Sequence, residues 1–331
     1  MAAQAPADIT GAVARAVPTV VQISVTRTPP AAARKPEVFA DSNIFETLMQ
    51  RPPVPAPGPR TMGSGIIIGA DGNVLTAAHL FDPGDAVTVR LSDGRVLVAT
   101  IVGRDRRSGV ALLKIAATGL KVATPGDPRK LRLAERLFAL GVQASGKSVA
   151  VTDGIVSALE VEEGDAAGYL QTTVTLYPVM GGGPLFNLAG ELVGVNAMLY
   201  SRTSGSGLSF AIPIDDAMVV VRELRANGRV RRGTLGILVQ EVTADMAANY
   251  GMDAPAGALI QSVLPGSAAE RAGIVTGDIV LRFEGETVRS TAQLVRAISK
   301  SKPGAQVTVR VRRMKDVREE DLKATLGEAP D

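Results

Sequence analysis

Apolar residues along this chain recur mostly at every second position, in short runs broken by Gly, Asp, Asn and Pro, which is the pattern of strands joined by tight turns. Ile9, Val13 and Val17 instead fall at helical spacing, and Pro18 stops that segment. Val20 to Val25 then alternates as a strand. Residues 63–79 predict a hairpin: an apolar strand, an Asp71-Gly72-Asn73 turn, and a second strand ending at His79. A second hairpin is predicted over 87–103, turning at Ser92-Asp93-Gly94. Beyond Leu185 the alternation gives two short strands joined at Ala189-Gly190. Met218, Val221 and Leu224 return to helical spacing between Asp215 and Gly228, where glycine supplies the stop.

One stretch interrupts this regularity and another concentrates glycine. Residues 28–62 are rich in Pro and Ala, with apolar islands at Phe39 and at 44–49; a segment of that length is functional or disordered. Tyr177-Pro178-Val179-Met180-Gly181-Gly182-Gly183-Pro184-Leu185 places three glycines in a row, which suits either a tight turn at a barrel corner or a backbone that lets a ligand come close.

Composition narrows the chemistry. The 331 residues are 46% hydrophobic, enough for two or three packed units, while aromatics are 3% and Trp is absent, so the cores are expected to be aliphatic. With 36 basic and 33 acidic residues the net charge of +3 points to no nucleic-acid partner. Zero Cys excludes disulfides and thiol catalysis, and the single His leaves little for metal chemistry; no cofactor is expected. No apolar run is long enough to span a bilayer. Met1 to Ala7 lacks the basic and apolar regions of a signal peptide, so any export signal or anchor is expected to have been removed from view.

Three groups of residues resemble the HtrA (Deg) family of trypsin-like proteases. Gln171-Thr172, Pro178 and Gly182-Gly183-Pro184-Leu185 match the family's nucleophile segment, Thr76-Ala77-Ala78-His79 its base segment, and Asp105, Ser108, Ala111, Leu113 and Lys114 its acid segment. Further on, Gly233-Thr234-Leu235-Gly236-Ile237, Pro265-Gly266-Ser267-Ala268-Ala269 and Gly277-Asp278-Ile279-Val280 resemble the PDZ domain attached to such proteases. The resemblance implies a mainly β chain: a trypsin-like double β-barrel followed by a C-terminal PDZ domain. Its divisions are an N-terminal helix and first strand (1–27), an extended loop (28–62), the rest of the double barrel (63–228), a linker (229–232) and the PDZ domain (233–328). It also implies a periplasmic or envelope location and a trimer-based homo-oligomer.

In the same register His79 holds the position of the catalytic base, Gly109 that of the orienting Asp, Gly181 that of the nucleophilic Ser, and Val179, with Gly181, the oxyanion-hole position. In a serine triad, losing the Ser costs about 10⁶-fold and losing the Asp about 10⁴-fold in rate. The expectation from sequence is therefore a catalytically inactive relative that binds peptides, protein C-termini or unfolded polypeptides, as scaffold, chaperone or regulator of active HtrA proteases. Two other readings stay open. One is an active endopeptidase with a relocated nucleophile, for which Thr175, Ser201, Ser204 and Ser206 carry hydroxyls; the other is a metal-binding scaffold using His79. PDZ domains add a peptide strand to a sheet edge and take its terminal carboxylate on loop N–H groups. The resemblance assigns the loop to Thr234, Leu235 and Gly236, the edge strand to Ile237 through Val239, and the opposing helix to 291–300, with Leu294 and Ile298 either facing the groove or filling the core. The alternating cations Arg310, Arg312, Arg313 and Lys315 are read as a solvated face.

Overall fold

The computed structural model describes residues 9–26, 61–143, 145–146, 148–163, 166–197, 207–249, 251–313 and 317–329. The expectations on residues 28–60, the serines 201–206 and Lys315 lie outside the residues so described. The chain divides into two compact units, residues 1–161 with 168–229 and residues 162–167 with 230–331.

The first unit opens with α1 (Ile9–Ala16), a 3-10 turn at Val17–Thr19 containing Pro18, and β1 (Val20–Thr26). β2 (Thr61–Ile67), β3 (Asn73–Ala77), β4 (Ala86–Arg90), β5 (Val96–Asp105) and β6 (Val110–Ile115) complete a closed barrel in the order β1-β2-β3-β6-β5-β4. β2 already begins at Thr61, inside the stretch read as loop. Inward positions alternate along each strand: Val21, Ile23, Val87, Val89, Leu113 and Ile115 fill the barrel with aliphatic side chains. A second closed barrel, β10-β11-β12-β9-β8-β7, is built from β7 (Arg136–Val142), β8 (Val149–Glu163), β9 (Ala166–Thr172), β10 (Pro184–Asn187), β11 (Leu192–Ala197) and β12 (Ser209–Pro213). Leu137, Ala139, Leu170, Leu185, Val193 and Ala211 pack inside it. The rare aromatics pair outside that cluster, where Phe138 and Phe186 stack at 5.4 Å between centroids. α2 (Ile214–Asn227) buries Ile214, Ala217, Val221 and Leu224 on one stripe and packs against β5, β6, β11 and β12.

The second unit is a sheet in the order β14-β15-β16-β18-β19, made by β14 (Ile237–Glu241), β15 (Ala258–Val263), β16 (Ile279–Phe283), β18 (Gln306–Arg312) and β19 (Glu319–Thr325). β17 (Glu286–Thr287) pairs with β16, and β13 (Gly233–Thr234) with β20 (Gly327–Glu328). Three helices complete the unit: α3 (Ala244–Asn249), α4 (Ala268–Arg271) and α5 (Thr291–Lys300). One sheet face forms the main core with α4 and α5, through Ile260, Val280, Val309, Ala269 and Leu294. Leu259 and Ile279 on the other face pack with Val242 and Ala247. β14 stands at the sheet's end, paired on one side only among the described residues. Among the described residues no helix is long and apolar enough to cross a membrane.

Candidate functional site

β3 ends at Ala77, directly opposite Val110, the first residue of β6. The chain then turns through Ala78–Leu80 in a 3-10 turn. The hairpin was expected to end on His79; instead the strand stops two residues earlier and the turn carries the imidazole. Ala78 and Leu80 are buried beneath this turn while His79 stays exposed. The Ala78 N–H donates to the Gly109 carbonyl at 2.7 Å, which sets Gly109 beside the histidine's turn. Gly109 has φ of 76°, so an L side chain there is strained even though a Cβ would approach nothing closer than Ile212 Cδ1 at 3.4 Å. Asp105 shapes that turn, its Oδ2 accepting the Ser108 N–H at 2.9 Å. Ser108 Oγ is buried without a hydrogen-bond partner in the described structure.

His79 makes no hydrogen bond among the described residues. Its surroundings remove enough water to lower its pKa from the ordinary value, with desolvation the cause. The neutral imidazole is thus the favoured form.

The glycine-rich segment is held from both barrels. Pro178–Met180 forms a 3-10 turn, with Met180 N–H donating to Tyr177 O at 2.8 Å and Gly181 N–H to Pro178 O at 3.2 Å. The Gly181 amide, which the resemblance places in the oxyanion hole, is therefore engaged inside its own turn. Val179 takes no positive φ, so it follows the turn rather than the conformation open to a glycine. From the first barrel, Ser64 N–H donates to Gly181 O at 3.0 Å and Ser64 Oγ to Val179 O at 2.7 Å. From the second, Asn196 Nδ2 donates to Met180 O at 3.3 Å and Pro184 O at 3.2 Å, and Gly182 N–H donates to Asn196 O at 2.9 Å. Thr76 Oγ1 donates to Ser64 O at 2.8 Å, and a Cβ on Gly182 would lie 2.3 Å from that hydroxyl. Only glycine fits there. Ser64 and Asn196 were not singled out from the sequence, and Thr76 was only as part of the base segment; their signal was a buried polar residue within a barrel strand.

In the second unit, Gly236 also has φ above zero, and its would-be Cβ lies 2.4 Å from Ser267 Cβ. Its N–H donates to Thr234 Oγ1 at 3.1 Å, and Leu235 O accepts from Ala269 N–H at 2.8 Å, so Thr234, Leu235 and Gly236 form a pinned loop leading into β14. Leu235 itself is buried in the core. Ile237 and Val239 are half-buried against the main core. Leu294 and Ile298, at 0% and 7% exposure, are buried in the core cluster against which Ile237 and Val239 of the edge strand also pack. The start of α5 is tied to the end of β14, where Glu241 Oε1 accepts Thr291 N–H at 2.8 Å and also Thr291 Oγ1. Arg310 and Arg312 pair with Asp321 and Glu319, whereas Arg313, at 17% side-chain exposure, bridges Glu320 and the buried Asp278, so the expectation of a solvated face does not extend to it. Among the described residues no three His, Cys, Asp or Glu side chains converge as a metal site.

Residues 63–195 match the trypsin-like peptidase domain and residues 233–324 the PDZ domain. Over 349 residues the chain is 39% identical to a probable periplasmic serine endoprotease DegP-like of Halomonas elongata, covering 99% of this chain and 72% of that protein. A protein of the same description from Pseudomonas savastanoi pv. phaseolicola is 38% identical, with 98% of this chain and 71% of the relative covered. The chain belongs to the HtrA/DegP family of trypsin-like serine proteases. Among solved structures, HtrA-type protease AlgW with a tripeptide superposes at a TM-score of 0.80 and 27% identity, over 98% of each chain. AlgW with a decapeptide gives 0.77 at the same identity, over 98% of this chain and 99% of that one. These comparisons correct the sequence-based expectation of a non-enzyme. Relatives matched over nearly the whole chain are named serine endoproteases, and the substitutions at two positions do not set this chain outside them. The relatives are named periplasmic.

Proposed function

We propose that this HtrA/DegP family member is a periplasmic serine endopeptidase that captures polypeptides through its PDZ domain and cleaves them with His79 as general base and a hydroxyl supplied from a position other than 181. The observation that carries the reading is the DegP-like relationship across nearly the whole chain, with the base position kept as an exposed imidazole whose pKa is lowered toward the neutral, proton-accepting form. The AlgW structures, solved with a tripeptide and a decapeptide, support peptide capture by the same architecture.

The proposed positions constrain the chemistry. Gly181 has no hydroxyl, so the attacking oxygen comes from another side chain; Thr175 is exposed in the segment leading to the Pro178–Met180 turn, and Ser201, Ser204 and Ser206 are the other candidates. That oxygen attacks the peptide carbonyl as its proton passes to the imidazole, the proton then leaves with the amine, and water hydrolyses the resulting ester. Gly109 brings no carboxylate to the imidazolium, so the step lacks the stabilisation of an orienting acid, and turnover is expected to be slow by about 10⁴-fold against a complete triad. The Gly181–Pro178 hydrogen bond must open before that amide can serve an oxyanion. By the same family relationship we assign the chain to a trimer-based homo-oligomer able to associate with other HtrA proteases.

Hydrolysis of casein by the purified chain, followed over hours to match the slow turnover, tests the proposal. Cleavage that disappears in His79→Ala supports it. Cleavage that persists unchanged in that variant, or no cleavage at all, overturns it.

A further inference from the structure

The two most exposed large apolar side chains described in the C-terminal unit are Leu238 and Leu264, at 56% and 54%. Both lie beside the open edge of the sheet. Leu238 is on β14 opposite Ser262, between Ile237, opposite Val263, and Val239, opposite Ile260. Ile237, Val239, Val263 and Ile260 all join the main core, so Leu238 and Ser262 point to the other face. Gln240 shares that other face, its Nε2 lying 3.9 Å from Met246 Sδ. Leu264 follows β15, continues the alternation from Ser262, and is fixed beside the loop by its N–H donating to Gly236 O at 2.9 Å.

A polypeptide end added antiparallel to β14, with its carboxylate at the 234–236 loop, sets its last residue opposite Ile237 and its penultimate residue opposite Leu238. Directly opposed side chains share a face. The last residue therefore points toward the core side and α5, whereas the penultimate one points to the outer face. There it meets Leu238 and Leu264. At the far end, the Glu241–Thr291 contact closes the edge after about five residues of pairing.

We infer that the outer face of the β14 edge selects polypeptide ends by their penultimate residue, with Leu238 and Leu264 forming an apolar shelf that favours a large aliphatic side chain. The inference rests on the peptide-capture reading above. Covering one exposed leucine with another removes a few tens of Å² of apolar surface from water, worth about 5- to 10-fold in affinity.

Fluorescein-labelled decapeptides identical except for Leu, Ser or Glu at the penultimate position, with free C-terminal carboxylates, are titrated against the full chain by fluorescence anisotropy. An amidated form of the Leu peptide accompanies them. The Leu peptide is expected to bind about 5- to 10-fold tighter than the Ser peptide, and Glu weakest. Leu238→Ser is expected to remove the advantage of Leu over Ser, while Leu238→Lys shifts the preference to Glu. Equal affinity for all three acids, with binding still lost on amidation, overturns the shelf and leaves capture standing. Binding that ignores amidation, or no binding of any peptide, overturns both.

Discussion

His79 is exposed at the tip of a 3-10 turn yet partly desolvated, and no carboxylate offsets that desolvation. Its folded pKa is therefore below the unfolded value of about 6.5. The sign follows from proton binding: the unfolded chain takes up the proton first, so the stability this residue contributes is present above pH of about 6.5 and is lost as pH falls through the folded pKa. Titration of the single histidine by NMR is expected to give a midpoint below the free value, and His79→Gln to flatten the stability profile over the same window. A midpoint above the free value contradicts this and implies an anionic partner. Gly182 is the second residue where one atom decides the outcome. A Cβ there meets Thr76 Oγ1 at 2.3 Å and Ala77 N at 2.6 Å, with φ of 76°. Gly182→Ala is expected to cost about 2 kcal/mol or more in urea unfolding, whereas the same change at Gly94, where a Cβ meets nothing within 4 Å, costs only its backbone strain.

At the scale of elements, the strands were legible because each barrel strand buries alternate positions, and a period of two survives in the sequence. The first helix, both N-terminal hairpins and the 215–228 helix were found from spacing alone. What spacing could not give was the hydrogen-bonded clamp on the glycine segment: Ser64 and Thr76 bond to each other across the first hairpin, but Asn196 lies far along the chain and reaches the same segment from the second barrel. Nor could periodicity decide between groove and core for Leu294 and Ile298, since both positions lie on one apolar stripe that serves either role. In the C-terminal unit, Asp278 is 1% exposed and bonded to Arg313 at 2.8 Å and to the Val275 N–H at 3.0 Å. Burial raises its pKa, outweighing the Val275 hydrogen bond and Arg313, which lower it. Arg313→Met removes the cation and leaves a buried carboxylate, an expected loss of about 3 kcal/mol at neutral pH. Because the folded pKa is raised, protonation relieves that loss as pH falls, so the variant's deficit should shrink in acid. A deficit that is constant with pH would assign the role of Arg313 to packing.

For the whole molecule, family and architecture were legible in motif order, and chemistry was not. Positions 109 and 181 show by their letters what they lack, but a sequence does not reveal whether another hydroxyl reaches His79, and this is where the expectation of an inactive chain went beyond its residues. The family relationship spans both units, and it restores endopeptidase activity as the working account while leaving its nucleophile to be located. Labelling with a fluorophosphonate probe, followed by peptide mapping, tests that account most directly. The account predicts one adduct on a serine or threonine hydroxyl, lost in His79→Ala; a chain that takes up no label under conditions where an active DegP-like protease is labelled would contradict it.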